Sequence, residues 1–277
     1  MLQHEIPISE IKMIQLEMLA KLDQFCKDNK IEYSLSYGTL IGAIRHGGYI
    51  PWDDDIDIMM TRFNYEKFIS SFGYEVKNNL KLLSFENSYF GFLKLIDYRT
   101  YIVEKVKYNI EDYGIWIDIF PIDKLPDPAS TKGKFLILIA RILIRMASLR
   151  AIEWKSLLLK KYSTPKTIIY CFVKAITMIF NINFFGKRLN SLLRSYKDQN
   201  CIYAGDLTLG PKKSFFMDIN IFNNYKDVVF EKLNLRMIRE YDAFLRNVYG
   251  DYMIPPPVSQ RTPVHNYRAF WKKNRDT

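Results

Sequence analysis

The run Asp53-Asp54-Asp55-Ile56-Asp57-Ile58 sets four carboxylates within five residues of an otherwise apolar segment. Alternate side chains of an extended strand share a face. Asp55 and Asp57 therefore point the same way, about 6–7 Å apart at Cα, while Ile56 and Ile58 point into a core. The spacing predicts a strand from Asp54 to Met60. Two carboxylates on a stiff, half-buried strand cannot both stay ionised without a counter-charge, and a cation is the natural one. Aspartate oxygens are hard ligands, better suited to Mg2+ or Mn2+ than to zinc. Other acidic patterns fit less well. A solvated turn would not alternate Asp with Ile. An EF-hand loop starting at Asp53 would need Gly where Ile58 stands and Glu where Asn64 stands. The Asp-x-Asp of glycosyltransferases follows a long nucleotide-binding region, whereas only one helix, one strand and one turn precede this one.

Those preceding elements read clearly. Ser9 is placed to cap a helix to about Asn29, with Ile11, Ile14, Met18, Leu22 and Phe25 as its apolar stripe. Ile31 to Ser36 reads as a short strand, Gly38-Thr39 as a turn, and Leu40 to Arg45 as a short helix stopped by Gly47-Gly48. Beyond the acidic strand come a helix near Asn64 to Phe72 and a hairpin of Tyr89–Asp97 with Tyr101–Lys107. A strand from Tyr113 to Phe120 ends at Pro121. Near the C-terminus, Ile238, Tyr241, Leu245 and Val248 mark a helix face, with Gly250 as its stop. These elements predict an α+β fold with a small mixed sheet. Asp118, between Ile117 and Ile119 on a strand that otherwise needs no acid, is a further candidate site residue. An ion pair with a core arginine is its alternative.

A small-residue turn, a short helix and then an Asp pair is the layout of the nucleotidyltransferase fold. The resemblance becomes specific in Tyr37-Gly38-Thr39-Leu40-Ile41-Gly42-Ala43-Ile44-Arg45-His46-Gly47-Gly48 and Ile50-Pro51-Trp52-Asp53-Asp54-Asp55-Ile56-Asp57-Ile58-Met59. Together they resemble the signature of the LicD family, which includes bacterial phosphocholine transferases and is related to fukutin-related ribitol-phosphate transferases. Lys94–Asp97, Gly114–Asp123, Tyr249–Met253, Pro256, Arg261 and His265 extend the likeness to about residues 8–125 and 201–266. The resemblance implies a metal-dependent transferase moving a phosphoalcohol from a CDP-alcohol to a sugar hydroxyl of a lipid-linked or soluble glycan. Asp55, Asp57 and Asp118 would be its catalytic metal ligands, binding Mg2+ or Mn2+, with Asp53 and Asp54 supporting them. Gly38 and Thr39 would meet the donor phosphates, and Arg45 and Lys94 would serve as phosphate cations. Both cations also read as residues of a solvated face. Arg261 and His265 enter on resemblance alone. The aromatic residues flanking the acids, Trp52 and Trp116 among them, favour CDP-choline over CDP-ribitol or CDP-glycerol, because a quaternary ammonium is held by ring faces.

The net charge of +10 is unevenly placed. Residues 126–200 hold 14 Lys and Arg against three acids, a net of +11, which leaves −1 for the rest. This segment predicts a basic helical insert between a catalytic core at 1–125 and a C-terminal part at 201–277 that completes the catalytic domain. Lys134, Arg141 and Arg145 mark one helix. Lys166, Tyr170, Lys174, Thr177 and Asn181 form a narrow polar stripe on a second, opening at Pro165. Neither run suffices to span a membrane. Broad apolar faces with cations fit an anionic membrane surface better than a nucleic-acid backbone, so no nucleic-acid partner is expected. Nucleotide transfer to RNA and a non-catalytic membrane-binding module are the competing functions. Three scattered cysteines with no CxxC pair suit a reducing cytosol, and Met1 to Ser9 lacks a signal-peptide pattern, so a cytoplasmic protein is expected, peripheral at the inner membrane face.

Overall fold

A computed structural model describes residues 5–272 apart from 109, 111, 160–163, 197–200, 213–214, 264 and 266. Its organising strand is β7 (Trp116–Leu125), whose ten residues are buried except Lys124. The preceding strands are β1 (Glu5–Ile6), β2 (Ser34–Leu35), β3 (Asp57–Thr61), β4 (Leu80–Leu83), β5 (Leu93–Asp97) and β6 (Thr100–Glu104). After β7 come β8 (Tyr203–Gly205), β9 (Met217–Asp218), β10 (Tyr225–Phe230), β11 (Leu233–Ile238) and β12 (Tyr267–Trp271). The main sheet has the order β2-β3-β7-β5-β4, with β8 and β9 continuing it from the far half of β7. Only β3 and β7 pair in parallel there, and the result is the expected small mixed sheet of an α+β fold.

Helices α1 (Ile8–Asp28), α2 (Tyr37–His46) and α3 (Arg62–Phe72) flank the sheet. Between β7 and β8 stand α4 (Thr131–Ala151), α5 (Trp154–Leu159), α6 (Thr164–Thr177) and α7 (Phe184–Arg194), the expected helical insert. Leu125 and Tyr203 are register partners, so the chain leaves the sheet and re-enters it across a single strand spacing. Helix α8 (Tyr241–Tyr249) ends at Gly250, in the left-handed half of φ at +73°, as expected; Ile238 belongs to β11 instead.

Several local expectations are corrected. Pro7, not Ser9, precedes α1. The strand before α2 is two residues long, and Gly38-Thr39 lies in the first helical turn rather than in a turn before it. The acidic strand starts at Asp57, with Asp53 to Ile56 irregular. β5 and β6 turn at Tyr98-Arg99 but do not pair. β4 and β7 already occupy both edges of β5, and β6 joins β12 in a separate sheet, β1-β12-β6. Pro121 sits inside β7 instead of ending it. The Asp118 N–H points toward β3, where it donates to Ile56 O at 2.8 Å. By alternation the nitrogen of Pro121 faces the other edge, between Ile119, the last residue paired with β5, and Asp123, the first paired with β8. No ladder bond is lost there.

The largest correction is in α6. Lys174 and Thr177, expected on a solvated stripe, are 2% and 0% exposed, whereas Ile168, Ile169, Phe172 and Ile179 are 57–81% exposed. The Lys174 ammonium donates to the carbonyls of Leu149 (3.1 Å) and Ile152 (2.5 Å) at the C-terminal end of α4. Those unpaired carbonyls carry the negative end of the helix dipole, which draws the lysine inward and turns the apolar side of α6 out. Helix α4 is likewise apolar on both sides. Leu136 and Ala140 are buried, and Phe135, Leu138 and Ile142 are exposed. Lys160, Lys161 and Lys197 of the basic segment lie outside the described residues.

Candidate active site

Strand register assembles the site. Asp57 faces Asp118 across the parallel β3–β7 pair, and Lys94 faces Asp118 across the antiparallel β5–β7 pair. Cross-strand partners share a sheet face, so Asp57, Asp118 and Lys94 form one row over three strands. Asp55 comes to the same point from the irregular segment before β3. Oxygens of Asp55, Asp57 and Asp118 lie within 4.8 Å of one another, and a second group, Asp54, Asp55 and His265, shares Asp55.

Helix α2 aligns these acids. The Thr39 hydroxyl accepts from the Asp57 N–H at 2.8 Å and so fixes the start of β3. Gly38 faces Asp53, and a Cβ there would stand 2.6 Å from an Asp53 oxygen. In this structure the small residue at 38 makes room for the Asp53 carboxylate.

Lys94 is buried rather than on a solvated face, and its ammonium lies 2.6 Å from Asp118 Oδ1. It also stands 4.6 Å from the ring centroid of Trp116. Trp116 is fully buried and donates its indole N–H to Asp118 Oδ2 at 3.2 Å, reaching the site through that carboxylate. The alternative of an ion pair for Asp118 thus holds together with the metal-ligand reading, with lysine in place of arginine.

His265, on the segment leading to β12, approaches the acids from the far side of the sequence. Its Nδ1 is 3.1 Å from Asp54 Oδ1 and 3.5 Å from Asp55 Oδ2, and its backbone N–H donates to Asp54 at 3.2 Å. Burial pushes the imidazole pKa down. The Asp54 hydrogen bond and the charges of Asp55 and Asp54 outweigh burial, so it is raised.

Too many negative charges converge here for the positive charge supplied. Burial, with Asp53 next, pushes Asp55 up to about 7 against the opposing pull of His265. Burial and the charges of Asp55 and Asp118 hold Asp57 well above the usual carboxylate range. Asp118 is also raised by burial, with Lys94 opposing. An all-oxygen, partly protonated donor set of this size fits a hard divalent cation.

The other expected residues gather elsewhere. Arg45 donates to the Tyr252 carbonyl, and Arg261 lies over the Trp52 ring at 5.2 Å while donating to Pro256 O. Burial and the nearby Arg261 charge lower the Arg45 pKa. Trp52 lines a cleft of about 810 Å³ that reaches Asp53, Asp54 and His265. A second cavity, about 300 Å³, opens on the opposite side of His265 and reaches Lys94 and Asp118.

Gln15 was missed by sequence reasoning. It is fully buried in the apolar stripe of α1 and donates to Asp54 O at 3.1 Å, while Tyr49 donates to its Oε1 at 3.0 Å. An amide interrupting a helix's core face was the available signal.

A mixed sheet whose central parallel pair carries Asp57 and Asp118, with Asp55 joining them from the segment before β3, gives a carboxylate group able to hold a divalent metal, the arrangement of the nucleotidyltransferase class. Residues 30–134 match the LicD/FKTN/FKRP nucleotidyltransferase-domain family. The chain is 30% identical over 273 residues to the lipopolysaccharide cholinephosphotransferase LicD of Haemophilus influenzae, covering 96% of this chain and 98% of that protein. Shorter likenesses link it to uncharacterised proteins of Rickettsia typhi (38% over 79 residues, 26% of each chain) and Rickettsia prowazekii (46% over 52 residues, 18% of this chain and 20% of the other). The chain belongs to the LicD family.

Proposed function

We propose that the protein transfers phosphocholine from CDP-choline to a sugar hydroxyl of a cell-surface glycan, such as a teichoic acid, lipopolysaccharide or capsule precursor. The observation that carries this reading is the convergence of Asp55, Asp57 and Asp118 beside Lys94. The nearly full-length likeness to a cholinephosphotransferase supports it. In the reaction the acceptor oxygen forms a bond to the choline-bearing phosphorus, the bond from that phosphorus to the bridging pyrophosphate oxygen breaks, and CMP leaves. Mg2+ or Mn2+ held by Asp55, Asp57 and Asp118 would supply charge stabilisation to the transferring phosphoryl group.

The remaining work falls to side chains. Lys94 neutralises charge on the phosphoryl oxygens. Asp118, its basicity raised by burial, takes the acceptor hydroxyl proton. Asp54 holds His265 against the acidic segment. Trp52 lines the other cleft and carries Arg261 over its ring, a pairing of ring and guanidinium that suits a nucleotide.

Among the described residues no helix is long and apolar enough to cross a membrane. The outward apolar face of α6, with the exposed Arg145 of α4 over the Tyr170 ring at 5.5 Å, supports docking on an anionic inner membrane leaflet, where a lipid-linked acceptor is presented.

Incubation with CDP-choline, CDP-ribitol and CDP-glycerol, following CMP release with Mg2+ and after EDTA, tests the reading. Metal-dependent release is expected, fastest with CDP-choline. Preference for a polyol donor changes the alcohol. No release from any CDP-alcohol overturns the function.

A further inference from the structure

The cavity that reaches Lys94 and Asp118 is walled differently from its neighbour. Tyr89, Tyr108 and Tyr113 supply aromatic surface, and α4 closes the opposite side with Leu143, Ile144 and Ala147. The Tyr89 and Tyr108 rings stack at 5.5 Å and 14°, which fixes them as one broad wall. The helical insert is seated tightly here. A Cβ on Gly186 of α7 would fall 2.9 Å from Phe90 O, and one on Gly91 would fall 2.7 Å from a Leu189 methyl. Glycine at 186 allows the close approach to the Phe90 backbone, whereas the Leu189 methyl facing Gly91 could swing aside.

Into this space projects Glu104, from β6. It is half-buried, and its carboxylate makes no ion pair within 4.0 Å and no hydrogen bond among the described residues. Burial raises its pKa, with Lys94 and His265 acting against that rise. The Lys94 ammonium lies against Asp118, at 2.6 Å, rather than against Glu104. A carboxylate left without a partner in an aromatic cavity is a standing cost unless a ligand brings the missing positive charge.

We infer that this cavity holds the cationic head of the transferred alcohol, with Glu104 and the rings of Tyr89, Tyr108 and Tyr113 surrounding a quaternary ammonium. The inference rests on the transferase reading and adds its specificity determinant. A trimethylammonium group accepts no hydrogen bonds and is attracted by ring faces and a carboxylate. A polyol gains nothing from the Leu143, Ile144 and Ala147 side, although tyrosine hydroxyls, Ser148 and Thr208 also line the cavity, so discrimination rests on the Glu104 charge and the ring faces. Phosphocholine is a zwitterion, and the cavity has matching ends: Lys94 where the phosphate lies and Glu104 for the ammonium. The insert thereby forms part of the donor site, since α4 and α7 supply one wall.

The test is binding of phosphocholine and of glycerol phosphate to the full chain with Mg2+, by titration calorimetry, in the wild type, Glu104→Gln and Ala147→Phe. Glu104→Gln keeps shape and removes charge. It is expected to weaken phosphocholine by about tenfold or more and leave glycerol phosphate unchanged. Ala147→Phe, which fills the cavity from the insert, is expected to weaken phosphocholine too; should it not fold, Glu104→Gln alone decides. Unchanged phosphocholine affinity in Glu104→Gln, or no phosphocholine binding by the wild type, overturns the subsite. Turnover of CDP-choline with an unaltered KM in Glu104→Gln overturns the subsite and leaves the transferase reading standing. Glu104-dependent phosphocholine binding without turnover of any CDP-alcohol does the reverse.

Discussion

Replacing Asp55 by Asn should stabilise the metal-free protein and remove its response to metal. Asp55 is pushed from an ordinary 3.8 up to about 7 in the fold. A folded pKa above the unfolded one favours the fold fully below the unfolded value, and that favour is lost as pH rises through the folded value. At about 1.4 kcal/mol per unit, the ionisable carboxyl costs the fold about 4 kcal/mol at pH 7 and almost nothing near pH 4. Asn also forfeits the attraction between Asp55 and His265, whose Nδ1 lies 3.5 Å away. The expected net gain is therefore about 2–3 kcal/mol at pH 7 in EDTA, fading toward pH 4. Saturating Mg2+ then works the other way. At a thousandfold excess over Kd the wild type gains about 4 kcal/mol and the variant, short of one ligand, gains little, so the order reverses. Urea unfolding followed by tryptophan fluorescence, at both pH values with EDTA or Mg2+, reads all four states. An Asp55→Asn protein less stable than wild type in EDTA at pH 7, or equally stabilised by Mg2+, would refute the reasoning.

Asp57→Asn should lower CMP release by about a thousandfold while folding survives, because a ligand charge is lost; substantial turnover would remove Asp57 from the site. Lys94→Met strands a buried Asp118 and should cost about 3–5 kcal/mol in urea unfolding at pH 7, together with turnover. A loss under about 1 kcal/mol would mean that the pair is not maintained in solution. Ile169→Glu with Phe172→Glu should abolish sedimentation with anionic vesicles at low salt and leave thermal stability within about 0.5 kcal/mol; a wild type that never sediments disproves docking. Burial pushes Asp206 up to about 6, so Asp206→Asn should gain on the wild type as pH rises from 4 to 6, by about 2 kcal/mol. Parallel stability curves would place the Asp206 titration elsewhere.

Local chemistry made the acidic segment legible. The density of acids among isoleucines announced Asp55 and Asp57, though Asp55 arrives from an irregular segment and not from strand alternation, and an acid between Ile117 and Ile119 announced Asp118. The structure brings the three within 4.8 Å. Long-range partners were not legible. Nothing near Lys94 shows that β5 will lie beside β7, so burial and the Asp118 pair could not be read from an apolar strand with one lysine. The hairpin failed for the same reason. Two β-rich runs joined by a tight turn satisfy the local rule, but competing edges decided where each strand paired. Polarity patterning on α6 gave the stripe correctly and its direction wrongly, because Lys174 answers to the carbonyl ends of another helix rather than to water. Arg45, Arg261 and Trp52 form a group of their own, which spacing along the chain does not reveal.

Where the helical insert joins the sheet has a consequence for how such chains diversify. Leu125 and Tyr203 are neighbours across one strand pair, so the insert is, to the sheet, an oversized hairpin loop. Loop length is a weak thermodynamic burden, each doubling adding only about 0.6 kcal/mol. Helices there can be lengthened, shortened or exchanged while the row Asp57, Asp118 and Lys94 keeps its register. The strands hold the reaction constant. A change in that loop would then reshape the wall it lends to the cavity beside Lys94 and leave the row itself untouched.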